Sequence, residues 1–312
     1  MNETELPELR YLKNAQINKV LWDKKMLESS NGLVYGSTWY LDAVTDDNWN
    51  ALVSDDYSWM MPLPIKKKFG FRYLPTPLFI QQLGIFGPGP FTVELSNHFI
   101  KHLSANIKLI EYQLNSENSS PSLPEFEIRT RTNCIKRLPQ DRQNILSEFS
   151  ENTQRNIKKA GKVNVHFGNA SIRQMIKLFQ DHKEKEIDGW KTNHYNTLDR
   201  LYNMCMIRKY GDSIGAYNNN GELIAGAFIT EYKNRATFIF SCNSPEGKES
   251  GALPALIHYY MQQAPSQMEI FDFEGSDQEG LARFYMSFGS IETKYVHLKL
   301  NRLPFYMRWL KS

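Results

Sequence analysis

Near its end the chain places a strand, a short helix and a second strand in direct succession, and this order restricts the folds that its second half can adopt. Phe271–Glu274 alternates aromatic rings with carboxylates, which is typical of a strand that buries one face. The next segment has an apolar stripe at helical spacing and ends at Gly289, and the strand Thr293–Leu300 follows. A helix between two strands at this spacing predicts an α+β unit.

The stripe on that helix consists of Leu281, Phe284, Tyr285 and Phe288. Their spacing of i, i+3, i+4 and i+7 indicates one buried face, so the simplest interpretation of Tyr285 is a core position. Ser276 and Glu279 have the S-x-x-E spacing of a capping box, which predicts where the helix begins.

The length of the chain, 312 residues, is sufficient for two domains that each bury a core. No apolar run approaches the ~18 to 20 residues that a membrane span requires. Met1–Arg10 is polar and acidic and lacks the features of a signal peptide, so we expect a cytoplasmic protein. A net charge of +3 is too small to predict nucleic-acid binding.

Neither the cysteines nor the histidines indicate a metal site. The three cysteines, Cys134, Cys205 and Cys242, lie far apart, so neither a disulfide framework nor a zinc knuckle is expected. His98 and His102 have the i, i+4 spacing that can chelate a metal, but no third ligand accompanies them. A polar helix face is the favoured interpretation of this pair, and we predict no metal.

Both halves of the chain show the same order of helices, strands, a glycine-bearing loop, a helix and further strands. The glycine-bearing loops are Gly84–Pro90 and Cys242–Gly251. Turns at Asn220 and Lys233 divide three strands of an antiparallel meander, and Lys66–Lys68 is expected as a further turn. The fold class is therefore predicted as α+β, with two similar domains whose mixed, largely antiparallel sheets are flanked by helices.

Several segments resemble the FemAB-like branch of the GNAT acyltransferase superfamily, in which two GNAT domains are fused. Trp59–Ile65 is similar to that branch's proline- and leucine-bearing strand, and Gln81–Gly84 follows it. Arg155–Ala160 resembles its R-x-x-I-x-K-A helix, and Phe271–Gly289 resembles its last strand–helix–strand unit. The resemblance implies two tandem GNAT-like domains, residues 1–140 and residues 141–312, of which the second carries the donor site.

Members of this branch transfer an acyl group from acyl-CoA or aminoacyl-tRNA to an amine, and the best-known ones build peptide bridges in bacterial cell-wall precursors. The resemblance therefore implies a bacterial N-acyltransferase that moves an acetyl or aminoacyl group. Acyl-CoA, above all acetyl-CoA, is the expected co-substrate, without a permanently bound cofactor. The expected acceptor is a small-molecule or peptide amine held between the domains. A tRNA donor is less favoured, because the second half has no long heptad segment for a helical tRNA-binding arm.

The resemblance also implies catalytic residues. Tyr285 matches the family tyrosine that often protonates the departing thiolate. Acyl transfer to an amine also needs a proton acceptor, and Asp272 and Glu274 alternate with rings, so both carboxylates are expected on one face of their strand. Glu274 is the preferred base because it is nearer the strand end, and Asp272 is the alternative. The same pair can form a solvated or salt-bridged strand edge, with Arg283 as a partner.

The loop between a strand and the following helix holds the donor's phosphates in GNAT proteins, through backbone amides at the helix N-terminus. The matching loop here predicts donor contacts at Asn243, Gly247, Lys248, Ser250 and Gly251. In the family pattern, two residues separate an Arg or Gln from a Gly, and one further residue separates that Gly from a Gly or Ala. The loop of this chain departs from this pattern. Lys248 occupies the first position and Leu253 the last, so CoA binding is in doubt. The glycines can equally serve only the turn and the start of the helix.

Basic residues are predicted to bind a phosphate-bearing substrate: Arg155, Lys158 and Lys159, which share a helix face with Lys162, and also Arg283. A solvated helix face is the simpler interpretation of this cluster. Two classes of function therefore stay open. One is an acyltransferase, and the other is a binding module that keeps the GNAT fold without catalysis and recognises a metabolite or protein. The altered donor loop favours the second, and the sequence does not predict the oligomeric state.

Overall fold

The structure is a computed structural model that describes residues 6–68, 70–103, 105–182, 190–275 and 278–304. Its internal contacts divide the chain into two compact units, one of Met1–Arg131 with Lys294–Ser312 and the other of Thr132–Thr293. The chain thus leaves the first unit, completes the second without interruption, and returns to the first. This differs from the predicted division at residue 140, which assigned the end of the chain to the second domain.

The helices and strands are numbered here in chain order. The helices are α1 (Lys19–Glu28), α2 (Thr38–Thr45), α3 (Val93–Lys101), α4 (Glu151–Lys162), α5 (Ile172–His182), α6 (Thr192–Arg208), α7 (Pro245–Ser250), α8 (Ala252–Gln263) and α9 (Glu279–Met286). The strands are β1 (Leu9–Lys13), β2 (Asn50–Ser54), β3 (Met60–Leu63), β4 (Lys66–Lys68), β5 (Phe71–Pro75), β6 (Ile107–Gln113), β7 (Glu127–Arg137), β8 (His166–Asn169), β9 (Gly211–Tyr217), β10 (Leu223–Tyr232), β11 (Arg235–Asn243), β12 (Ile270–Asp272) and β13 (Ile291–Asn301).

The first unit contains an antiparallel sheet of β1, β2 and β3. A second group of neighbouring strands has the order β4-β5-β6-β13, in which β5 and β6 run parallel and the other neighbours antiparallel. The predicted turn at Lys66–Lys68 is wrong, because these residues form β4 and pair with β5. Large aromatic side chains fill the core, among them Trp22, Trp49 and Tyr112, which are fully buried.

The second unit has the strand order β7-β12-β11-β10-β9-β8. β11 and β12 are parallel, and the other neighbouring strands are antiparallel. Ala227 and Ile229 of β10 belong to the core cluster that contains α8, whereas Phe228 between them contacts Tyr202 of α6. Helices therefore cover both faces of the sheet, since alternate residues of a strand point to opposite sides. The predicted α+β class with mixed, largely antiparallel sheets is confirmed.

Candidate active site

The parallel strands β11 and β12 stay paired for only a short distance. Their register ends at Thr237↔Asp272, whereas β11 continues to Asn243. Beyond β12 the chain follows β7 instead, because the Phe273 N–H donates to the Cys134 carbonyl at 2.9 Å. β11 therefore diverges from β12 along its second half.

A bulge in β11 lies where the strands diverge. Opposite β10, Phe228 pairs with Phe240 and Ile229 with Phe238, so Ile239 is an extra residue in β11. A bulge bends its strand and re-aims side chains, and bulges are common beside active sites. A pocket of ≈ 190 Å³ lies along this part of the strand, and we call it the β11–α9 pocket. Its lining consists of Phe238, Ser241, Cys242 and Asn243 of β11, Leu281, Phe284 and Tyr285 of α9, and Lys248 and Leu253 of α7 and α8.

Tyr285 lines this pocket and is only 8% exposed. Its ring stacks on Phe273 with centroids 5.0 Å apart and meets Phe238 edge to face. Burial raises the pKa of the phenol well above its usual range, and the Glu274 carboxylate and the Cys134 thiol add to this shift. The hydroxyl has no hydrogen-bond partner in the part of the chain that the structure describes. The ring is a core element as the stripe predicts, and its phenol keeps its proton at neutral pH.

Glu274 is the carboxylate that the structure brings near Tyr285, since its charge raises the pKa of the phenol. It is half-buried and has a φ of 58°, a left-handed conformation that is uncommon outside glycine. β12 ends at Asp272, so Glu274 does not continue its alternation. The prediction that the two carboxylates share one strand face is therefore wrong, whereas Glu274 is close enough to Tyr285 for its charge to act on the phenol.

Asp272 is almost completely buried and is held by partners within the fold. Its Oδ2 accepts a hydrogen bond from the Arg235 guanidinium at 2.6 Å, and its Oδ1 accepts one from the backbone N–H of Glu274 at 2.9 Å. The ion pair predicted with Arg283 is formed with Arg235 instead. These contacts give Asp272 a role in positioning the turn that carries Glu274, and they favour Glu274 over Asp272 as the base.

Part of the predicted donor loop is a short helix, α7. Ser244 is its N-cap, since its Oγ accepts the Gly247 N–H at 3.0 Å, and Pro245 occupies the first turn. Serine at the N-cap and proline directly after it are the residues that favour such a start. The backbone amide of Gly247 is therefore used inside α7.

Packing requires both predicted donor-loop glycines. A Cβ on Gly247 would lie 2.2 Å from the Ile224 carbonyl oxygen. Gly251 has a φ of 75°, and a Cβ there would lie 2.4 Å from the Asn156 carbonyl oxygen of α4. The Gly251 N–H also donates to the Lys248 carbonyl at the end of α7. The interpretation in which these glycines serve the turn and the helix start thus accounts for both positions.

Two of the five predicted donor residues, Asn243 and Lys248, line the β11–α9 pocket beside Tyr285. The Oδ1 atom of Asn243 is buried and has no hydrogen-bond partner among the described residues. Lys248 is exposed. Ser250, in contrast, is buried, donates its hydroxyl to the Gly247 carbonyl at 3.3 Å, and lines a different pocket.

The basic residues predicted to bind substrate lie on exposed helix surfaces. Arg155, Lys158 and Lys159 project from α4 opposite its buried residues, and Arg283 is exposed on α9. None of the four lines the β11–α9 pocket, and Lys159 lines a separate one. This geometry agrees with a solvated helix face, so substrate binding by these residues stays a prediction.

The two histidines contact backbone carbonyls, and the three cysteines are buried thiols. His98 Nε2 lies 2.8 Å from the Pro7 carbonyl, and His102 Nδ1 lies 2.8 Å from the His98 carbonyl. Within the described ranges, no group of three or more His, Cys, Asp or Glu side chains could hold a metal ion. Burial raises the pKa of the Cys242 thiol to about 12, so this pocket residue is not a nucleophile near neutral pH.

Some functional positions were not predicted from the sequence: the pocket residues Phe238, Ser241 and Cys242, and Arg235 as the partner of Asp272. The rings and small side chains before Asn243 read as an ordinary strand. One signal in the sequence could have indicated this site. β12 follows β11 after helical segments, and such a crossover predicts a parallel pair of strands whose carboxyl ends lie side by side.

The strand order, the diverging parallel pair and the helix that carries Tyr285 define the class to which the structure belongs. It is a tandem GNAT-like α+β fold, as the resemblance in the sequence implies. No protein-family model matches the sequence, and no curated protein matches it either.

Particular solved structures share this fold. FemX is 12% identical with a TM-score of 0.67, over 93% of this chain and 96% of that chain. A tandem GNAT protein from the clavulanic acid biosynthesis pathway is 10% identical with a TM-score of 0.54, over 95% and 99%. The C-terminal domain of a putative lysylphosphatidylglycerol synthetase from Agrobacterium fabrum is 13% identical with a TM-score of 0.51, over 92% of each chain. At these identities the likeness shows the fold alone.

No helix in the described part of the chain is long and apolar enough to cross a bilayer.

Proposed function

We propose that the protein is an N-acyltransferase that moves an acyl group from a thioester donor, acyl-CoA being the favoured one, to an amine acceptor. One observation carries the proposal. A buried tyrosine without a hydrogen-bond partner among the described residues lies beside the carboxylate of Glu274, in a pocket where β11 leaves β12. A proton donor and a proton acceptor are the two groups that aminolysis of a thioester needs. The GNAT-like fold supports the same conclusion.

The proposed reaction uses each group once. The amine nitrogen attacks the thioester carbonyl carbon, so a C–N bond forms while the C–S bond breaks. Glu274 takes the proton that the amine loses, and Tyr285 gives its phenolic proton to the departing sulfur. The proton on Glu274 then returns to the phenolate through water. The products are an amide and a free thiol, and both side chains regain their starting forms.

Asn243 and Lys248 are the proposed donor contacts. The buried Oδ1 of Asn243 can accept a hydrogen bond from an N–H of the donor, and the exposed ammonium of Lys248 can pair with a phosphate. At ≈ 190 Å³ the pocket is smaller than the ~300 to 1,000 Å³ of sites that enclose a drug-sized ligand, so it holds the reactive end of the donor only. Arg155, Lys158, Lys159 and Arg283 are proposed as acceptor contacts outside it.

The test combines binding with turnover. Acetyl-CoA at 100 times its Kd should stabilise the protein by about 2.7 kcal/mol in a thermal-shift assay. Release of free thiol from acetyl-CoA should require an amine, supplied as a panel of amino acids, polyamines and lysine peptides. The Glu274→Gln variant should lose roughly 10²-fold in rate, whereas Glu279→Gln, an exposed glutamate on α9, should not. Equal rates for the two variants would remove Glu274 from the mechanism.

A second candidate is a binding module without catalysis, and the use of the Gly247 and Gly251 amides inside the fold favours it. It predicts that CoA or acetyl-CoA stabilises the protein while no amine in the panel releases thiol. An aminoacyl-tRNA donor gives a third result, which is transfer from charged tRNA with no response to any CoA thioester.

A further inference from the structure

On the basis of the proposed function, the walls of the β11–α9 pocket bear on the size of the acyl group. We infer that Phe238 closes the pocket beside Tyr285 and restricts the donor to short acyl groups, such as acetyl and propionyl, at the expense of hexanoyl and longer chains.

The position of the acyl group follows from the role of Tyr285. Its hydroxyl must come within ~2.6 to 3.2 Å of the sulfur that it protonates. The acyl carbon is bonded to that sulfur, so the acyl chain begins next to Tyr285. The donor contacts, Asn243 and Lys248, lie at the far end of β11 and beyond it. The chain therefore points the other way along β11, toward Phe238, the residue that follows the last paired position, Thr237.

Phe238 is fixed in place by its neighbours. It is 5% exposed, and its ring centroid lies 6.4 Å from that of Tyr285 and 6.0 Å from those of Phe271 and Phe273. Phe271 and Phe273 are themselves fully buried. Close-packed rings cannot move aside without disturbing the core, so a longer acyl chain would have to displace core side chains to enter the pocket.

The same strand supplies a matched control. Phe240 is also buried, at 6% exposure, but it does not line the β11–α9 pocket and packs instead on Phe179 of α5, with centroids 5.2 Å apart. Phe238→Ala and Phe240→Ala therefore remove the same group from the same strand, and only the first opens the pocket.

The experiment measures Kd by calorimetry for CoA, acetyl-CoA, butyryl-CoA and hexanoyl-CoA with the full-length wild type and both variants. The wild type should bind acetyl-CoA at least ~10-fold more tightly than hexanoyl-CoA, which is the discrimination that a single methylene can produce in an apolar pocket. Phe238→Ala should reduce that ratio by ~10-fold or more, and Phe240→Ala should leave it unchanged. If Phe238→Ala does not fold, Phe238→Leu should give a ratio between those of the wild type and the opened pocket.

The outcomes separate the two proposals. Equal binding of acetyl-CoA and hexanoyl-CoA by the wild type, or an unchanged ratio in the folded Phe238 variants, overturns the inference while leaving the donor site in place. If neither CoA nor any of its thioesters binds, the proposed CoA-dependent function fails, and the inference fails with it.

Discussion

Replacing Tyr285 with phenylalanine separates the catalytic role of the hydroxyl from the packing role of the ring. The ring contacts with Phe273 and Phe238 stay in place. Because the hydroxyl has no hydrogen-bond partner among the described residues, its removal breaks no bond there. The Tyr285 hydroxyl is not one of the fully buried oxygens that lack a partner, and the residue lines the pocket, so its removal relieves no desolvation cost and the free energy of unfolding should change by less than about 1 kcal/mol.

The kinetic effect should be large in comparison. Without a proton donor the sulfur leaves as a thiolate, and the loss of general acid catalysis should lower kcat by roughly 10²-fold, or about 2.7 kcal/mol in the barrier. KM for acetyl-CoA should change little, because the hydroxyl acts on the leaving group as the bond breaks. In the wild type the pKa of the phenol is raised by burial, so the acid form should persist through the alkaline range in which an ordinary tyrosine ionises.

Thiol release at saturating amine and urea unfolding measure the two effects on the same samples. Tyr259→Phe is the control, since Tyr259 lies on α8, stacks on Phe167 and does not line the β11–α9 pocket. Unchanged turnover in Tyr285→Phe would refute the acid role. A loss of more than ~2 kcal/mol of stability would show instead that the hydroxyl takes part in holding the fold.

Three further predictions follow from contacts in the second unit. Gly247→Ala should lower the free energy of unfolding by ~1 to 3 kcal/mol in urea titrations, because the added Cβ would collide with backbone atoms. The control, Gly161→Ala on the open side of α4, should raise the free energy of unfolding by ~0.5 to 1 kcal/mol. Changes of the same sign in both variants would contradict the packing argument. Asp272→Ala should cost about 3 kcal/mol by leaving the Arg235 guanidinium without its buried partner, and a loss below ~1 kcal/mol would show that the pair does not stabilise the turn. Burial raises the pKa of Glu231, with a further contribution from Asp212, and a Tyr260 hydrogen bond opposes the shift. Since ionisation of such an acid destabilises the folded state, Glu231→Gln should have a higher Tm than the wild type at pH 8, and the difference should disappear below about pH 4; a constant difference across this range would exclude the titration of Glu231 as its cause.

Local patterns in the sequence were sufficient to predict two of the helices that line the site, α8 and α9. The stripe after Gly251 predicts α8 over Ala252–Gln263, and the stripe through Tyr285 predicts α9. Ser276 of the predicted capping box lies outside the described residues, and α9 begins at Glu279 with Gln278 as its N-cap. Periodicity works for α9 because one side of this helix packs against the core, with Tyr285 buried and Leu281 and Phe284 partly buried. In α8 the consecutive residues Ala252–Ile257 are all buried, so the length of the apolar segment indicates the helix as much as its period does.

Structural features that depend on residues far apart in the sequence could not be predicted from local patterns. β4 consists of three lysines, and only pairing with β5 makes it a strand. The Arg235–Asp272 ion pair depends on the register between parallel strands that are separated by two helices. The left-handed conformation of Glu274 and the bulge at Ile239 likewise follow from pairing and carry no local signature of their own.

The return of the chain to its first unit has a consequence for biosynthesis. β6 hydrogen-bonds to β13 through His297–Asn301, so this ladder cannot form until β13 has left the ribosome. Until then the nascent polypeptide presents β6 with an open edge, the kind of surface on which strands from other molecules aggregate.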